Sequence, residues 1–222
     1  MSFITQYMVS QGVPQETVIL LLMLPIVATV IAFARQIIGI KGFGIYTPLI
    51  LSFAFLSTGL KYGLAFFVAI LLVGTVTRYL VKKSRLRLLY LPRIAIVLSS
   101  VALAILTIFW LGAYTEKTGL ISSSVFAILI MITLVEKFVS AQIERGARKA
   151  VILTSETLIL SIVCYWVASW LWLQNTVFAY PVLVFFAAII INIFLGKWTG
   201  LRFYEYFRFR ELIKYVESSR KK

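Results

Sequence analysis

The 222 residues contain no histidine, no aspartate and one cysteine, Cys164. A lone cysteine closes no intramolecular disulfide, and metal sites built from histidine and cysteine clusters are excluded. Ser–His–Asp and Cys–His catalysis are excluded for the same reason. The acids reduce to eight glutamates: Glu16, Glu116, Glu136, Glu144, Glu156, Glu205, Glu211 and Glu217. Acid–base chemistry is left with Glu, Lys, Tyr and one Cys, and no recognisable catalytic constellation is built from them. The sequence therefore reads as that of a non-enzyme, with no cofactor and no metal.

Charge is scarce too, at 14% of residues, against about 25% in ordinary soluble domains. What fills the space is apolar: 61% of the residues are hydrophobic, and the mean hydropathy is +0.98. Such a composition belongs to an all-α, polytopic membrane protein. The net charge of +14 would suggest nucleic acid in a soluble protein. Here the basic residues fall between apolar spans, so they imply orientation and contact with anionic inner-leaflet lipid, and no nucleic acid. Residues 1–16 carry no Lys or Arg and no small-residue cleavage pattern. The first apolar segment is thus expected to be a retained span.

Charge-free windows place seven helices: residues 17–34, 45–60, 62–77, 94–115, 118–135, about 150–173 and about 177–197. The second window has 16 residues, or about 24 Å as a helix, short of the roughly 30 Å hydrocarbon core. Residues 157–196 form an uncharged run of 40, about twice the membrane thickness, so the run must fold back. The polar Gln174-Asn175-Thr176, with Pro181 beyond, marks the expected turn.

With the N-terminus outside, 20 of the 22 Lys and Arg fall on the cytoplasmic side, and Lys61 and Lys117 alone fall outside. That bias orients the chain, with the C-terminus in the cytoplasm. It also requires the short second span, because its removal would move every later basic loop outward. Trp110, Trp166, Trp170 and Trp172 fall at expected outer helix ends and Trp198 at an inner one, as aromatic belts do. Three regions follow: a short extracytoplasmic N-terminus (1–16), a seven-helix membrane domain (17–197), and a cytoplasmic tail (198–222). In the tail, Phe203, Tyr206, Phe209, Ile213 and Val216 recur three or four apart on one face, as in an interfacial amphipathic helix or a docking surface. A short internal similarity, TPLILS at 47–52 and ETLILS at 156–161, is compatible with parallel repeats.

Intramembrane charges are costly and point to function by default. Glu156, in the run Thr-Ser-Glu-Thr, admits two readings. It pairs back to Arg148 or Lys149 near the interface, or it sits in a polar cavity and binds a cation, proton or amine. Glu136 reads as a solvated helix end beside Lys137, or as a partner for a cation. Arg35 and Arg93 read as interfacial anchors, as partners of Glu136 and Glu156, or as binders of an anionic group. Asn192 lies in the inner half of the last span and can join them. The stretch GIKGFGIYTP (39–48) supplies Lys41, Gly42, Gly44 and Pro48. Its glycines give backbone freedom, and Pro48 suits a first helical turn, where a missing N–H costs nothing. The free N–H groups at such a start can hold an anion.

Four stretches together resemble one family: LPIVATVIAFARQIIGIKGFGIYTPLILSFAFLSTGL (24–60), the LPR at 91–93, IERGAR (143–148) and GKWTGLRFYEYFRFREL (196–212). It is the bacterial seven-transmembrane domain usually fused to an inactive transglutaminase-like domain, and the likeness covers nearly the whole chain. Its most specific parts are Phe-Gly-x-x-x-Pro at 43–48 and Gly-x-x-x-Gly-x-Arg at 196–202. Only about 16 residues precede the first span, so the chain looks like a stand-alone version. More distantly, it is similar to the membrane subunit of poly-γ-glutamate capsule synthesis. These likenesses imply a bacterial inner-membrane subunit that partners a cytoplasmic ATP-grasp-type ligase in making, anchoring or exporting a peptide-like product. A signal-transducing domain with a separate extracytoplasmic sensor, or a small-solute transporter, are the alternatives. A second copy of the chain is a further candidate partner.

Overall fold

The structure is a computed structural model and describes residues 3–84, 89–114 and 125–197. Among them every regular element is a helix. The helices are α1 (Phe3–Ser10), α2 (Gln15–Phe33), α3 (Tyr46–Thr58), α4 (Leu60–Lys83), α5 (Tyr90–Tyr114), α6 (Val125–Arg145), α7 (Ala147–Ser169), α8 (Leu171–Ala179) and α9 (Pro181–Lys197). A π-helical turn, Ala34–Ile38, continues α2. The segments Gln15–Ile38, Leu60–Lys83, Tyr90–Leu111 and Ala147–Ser169 are each long and apolar enough to cross a bilayer. The cytoplasmic tail, its expected amphipathic helix and Trp198 lie outside the described residues.

The chain divides into two compact units, one made of Met1–Lys41 and Trp170–Lys222, the other of Gly42–Ser169. In the first, α2 packs against α9, α8 and α1. Helix α1 was not expected from the sequence. It is tied down by Thr5, whose buried hydroxyl donates to the Phe178 carbonyl at 3.2 Å.

The expected turn at Gln174-Asn175-Thr176 is corrected. These three residues lie inside α8, and the chain breaks instead at Trp170, which is extended (φ −73°, ψ 106°), and at Tyr180 (φ −129°, ψ 60°). Helices α8 and α9 meet at 106°. Pro181 opens α9, where it has no N–H to lose and its ring excludes a helical residue before it. Polarity suggested the turn, but proline sterics decide it.

In the second unit, α3 packs on α7 and α6, α4 on α5 and α6, and α6 on α7. The core is apolar and centred on Phe55, Phe66, Ile70, Val101, Met131 and Val135, all nearly inaccessible. Helix α3, at 13 residues, is about 20 Å long and shorter than the sequence suggested. The fifth window was expected to end at 135, but α6 runs on to Arg145. Leu134, Val135, Phe138, Val139, Ala141 and Gln142 are all buried, so the inward stripe continues past the charges at Glu136 and Lys137, which lie on the exposed side. A charge-free window stops at the first charge, whereas a helix only needs one apolar face.

Close approach of α4 and α6 depends on Gly74. A Cβ there would lie 2.7 Å from Val135 Cγ1. Small residues at such crossings let membrane helices pack without a hydrophobic drive between them.

Candidate functional site

The glycine-rich stretch enters the second unit at Gly42, whose φ of +37° favours glycine. Its backbone is fastened to α7 by two side chains. The Gly42 N–H donates to Glu156 Oε2 at 2.9 Å, and the Phe43 N–H donates to Thr157 Oγ1 at 2.9 Å. Thr157 in turn donates its hydroxyl hydrogen to the Leu153 carbonyl at 2.7 Å. Its oxygen is therefore committed on both sides. The Gly42 N–H, four residues ahead of α3, thus meets a carboxylate of the protein itself. Buried non-helical backbone must find its partners within the protein, and this clamp supplies two of the acceptors.

Glu156 is the tenth residue of α7, which starts at Ala147, about 14 Å along the helix. Sequence reasoning named Glu156 and Gly42 but missed Thr157 and Phe43. The flanking threonines were visible in Thr-Ser-Glu-Thr, but nothing local says which of them faces the loop.

Beside the clamp lies a cavity of about 10 Å³, lined by Phe43, Thr47, Leu51, Thr154 and Thr157 among others. That is room for one water at most. Thr47, buried in the first turn of α3 next to Pro48, accepts a hydrogen bond from Lys137 Nζ at 3.2 Å. Lys137 is the thirteenth residue of α6, well inside the helix. The sequence reading passed over it as a helix-end neighbour of Glu136. Glu136 itself is exposed and forms no hydrogen bond or ion pair among the described residues.

Arg93 lies in the first turn of α5. It lies within electrostatic reach of Arg78 on α4. Arg78 donates through Nη1 to Gln142 Oε1 at 2.7 Å and through Nη2 to the Gln142 carbonyl at 3.0 Å. Gln142 Nε2 reaches Thr75 Oγ1 at 3.3 Å. Tyr90 at the start of α5 and Ser140 on α6 share a hydrogen bond of 2.7 Å. These contacts bring the C-terminal ends of α4 and α6 together with the N-terminal end of α5. The Gly146 break then starts α7 at that same end. Gln142, only 2% exposed, had no signal in the sequence beyond being a polar residue in an apolar stripe.

In the first unit, Asn192 donates to Thr29 Oγ1 at 2.7 Å and to its own helix at Ala188. Thr29 passes its hydrogen to the Pro25 carbonyl at 2.7 Å. Asn192 thus joins α9 to α2, an interhelical polar contact of the usual membrane kind. Arg35 sits in the π-helical turn, which Gly39 closes in the left-handed conformation. Lys41 is exposed. Among the described residues no group of three or more His, Cys, Asp or Glu is placed to hold a metal.

The sequence pattern of one family, seven transmembrane helices usually fused to an inactive transglutaminase, matches residues 4–213. The chain belongs to that family. It is a multi-pass membrane protein, and the short α3 and the bent α8–α9 pair stand among helices of a seven-helix domain. The family's usual fusion partner is catalytically inactive. Comparison with curated proteins returned no match, and comparison with solved structures returned none.

Proposed function

We propose that the chain is a membrane scaffold of the bacterial inner membrane, with the N-terminus outside and the C-terminus in the cytoplasm. Its basic end docks a cytoplasmic ATP-grasp-type ligase and holds the acidic, peptide-like product during synthesis, anchoring or export. The observation that supports this most is the gathering of four helix ends in the second unit. They carry Lys82, Lys83, Arg93, Arg145, Arg148 and Lys149. A cationic face of this kind concentrates an acidic polymer and steers an acidic partner. The clamp is spent on fastening the loop, and the neighbouring cavity holds at most one water. Both features favour a scaffold over a solute carrier.

Affinity purification from native membranes in mild detergent tests the proposal. The wild-type chain should recover a ligase, and an Arg145→Glu/Arg148→Glu/Lys149→Glu variant should lose it. Recovery of no ligase by the wild type sinks the reading. A signal-transducing role is the second reading, supported by the family's usual fusion to a module that has lost its catalysis. It expects cross-links to an extracytoplasmic domain or protein.

A further inference from the structure

We propose that Arg78 and Arg93 form a binding site for the phosphate of an anionic phospholipid, seated between α4, α5 and α6 at their basic end. The site is built from within. Gln142 is buried, takes Arg78 through both its side-chain oxygen and its carbonyl, and is itself anchored on Thr75. The guanidinium is thereby held in one orientation by neutral oxygens. Among the described residues Arg78 meets no carboxylate. A guanidinium has five N–H donors, and the two bonds to Gln142 leave most of that fork unused.

The second cation is close. Arg93 is on α5, and the Tyr90–Ser140 bond seats the start of α5 within two residues of Gln142 on α6. A phosphate seated between guanidinium groups on adjacent helices would make a charge-assisted contact to each. The depth suits a headgroup. Arg78 is five residues from the end of α4 and Arg93 three from the start of α5, so about 8 Å and 5 Å. The surface alongside suits the rest of a lipid: Tyr79 is 64% exposed, Tyr90 45%, Leu89 78% and Leu91 76%. Tyrosines of this kind sit at headgroup level, and the leucines offer apolar surface to acyl chains.

Native mass spectrometry of the full chain, purified in detergent with added phosphatidylglycerol or phosphatidylcholine, tests the site. The wild type should retain one phosphatidylglycerol in preference to phosphatidylcholine. Arg78→Gln and Arg93→Gln should each weaken retention by about tenfold or more, the equivalent of one charge-assisted hydrogen bond. Lys82→Gln/Lys83→Gln, which lowers the general charge by more, should retain it. Arg78→Lys keeps the charge but loses the fork and should fall between. If Arg78→Gln does not yield folded protein, Arg93→Gln decides. The proposal is overturned if both arginine variants hold the lipid as the wild type does, or if the lysine pair matters as much. Displacement of the lipid by millimolar inorganic phosphate would assign the site to free phosphate instead. The ligase reading can fail without touching any of these outcomes.

Discussion

Replacing Gly42 by alanine probes the glycine loop at its tightest point. At φ +37° a Cβ costs about 1–2 kcal/mol through backbone sterics alone. The added carbon would also stand 3.1 Å from Thr157 Oγ1, closer than ordinary van der Waals contact. That oxygen has little freedom to retreat, since it accepts from Phe43 N–H at 2.9 Å and donates to the Leu153 carbonyl at 2.7 Å. Moving it loses one of these bonds, about 1 kcal/mol. Gly42→Ala should therefore destabilise by about 2–3 kcal/mol, and in a chain of this size lower the apparent Tm by roughly 4–12 °C.

The clash part is separable. Thr157→Ala removes the hydroxyl and costs about 1–3 kcal/mol by orphaning the Phe43 N–H, but it also makes room for the new carbon. The double variant should then fall short of the summed losses by about 1 kcal/mol, a coupling a double-mutant cycle resolves. Thermal unfolding of the four proteins in one detergent supplies the measurement. A Gly42→Ala Tm within about 1 °C of wild type, or strict additivity in the cycle, would refute the clamp geometry.

Glu156→Gln keeps an oxygen for the Gly42 N–H and should lose only the charge-assisted part of the bond, about 1 kcal/mol, whereas Glu156→Ala should lose about twice that in the same unfolding assay. If the two are equal, the carboxylate does not hold Gly42. Gly74→Ala drives a carbon into Val135 and should cost about 1–3 kcal/mol. Val135→Ala in the same chain should recover part of the loss, and failure to do so would place the strain elsewhere. Gln142→Leu removes the side-chain acceptor of Arg78 and leaves it the backbone carbonyl alone, which should lower stability by about 1–3 kcal/mol, whereas Gln142→Glu, which keeps a side-chain acceptor, should be milder. For orientation, Lys61→Cys and Lys83→Cys are made singly in a Cys164→Ser background and labelled in intact cells with a membrane-impermeant maleimide. Residue 61 should label and residue 83 should not; the reverse pattern would invert the proposed topology.

Composition alone determined that this is a helical membrane protein, because 61% hydrophobic residues leave a soluble fold too little polar surface. The glycine-rich entry and the short third helix were also legible, since glycine and proline mark themselves in an apolar chain. The helix ends were not. Proline sterics at Pro181 outweighed the polar Gln174-Asn175-Thr176, and α6 ran past Glu136 because its charges occupy one face only. Nor could the sequence show which distant groups meet. Gly42 and Glu156 lie 114 residues apart, and Arg78 and Gln142 lie 64 apart. Apolar patterning sets how deep a residue sits and which way it faces. The partner that satisfies a buried polar group is chosen by helix packing across such separations, and only the tertiary structure decided it.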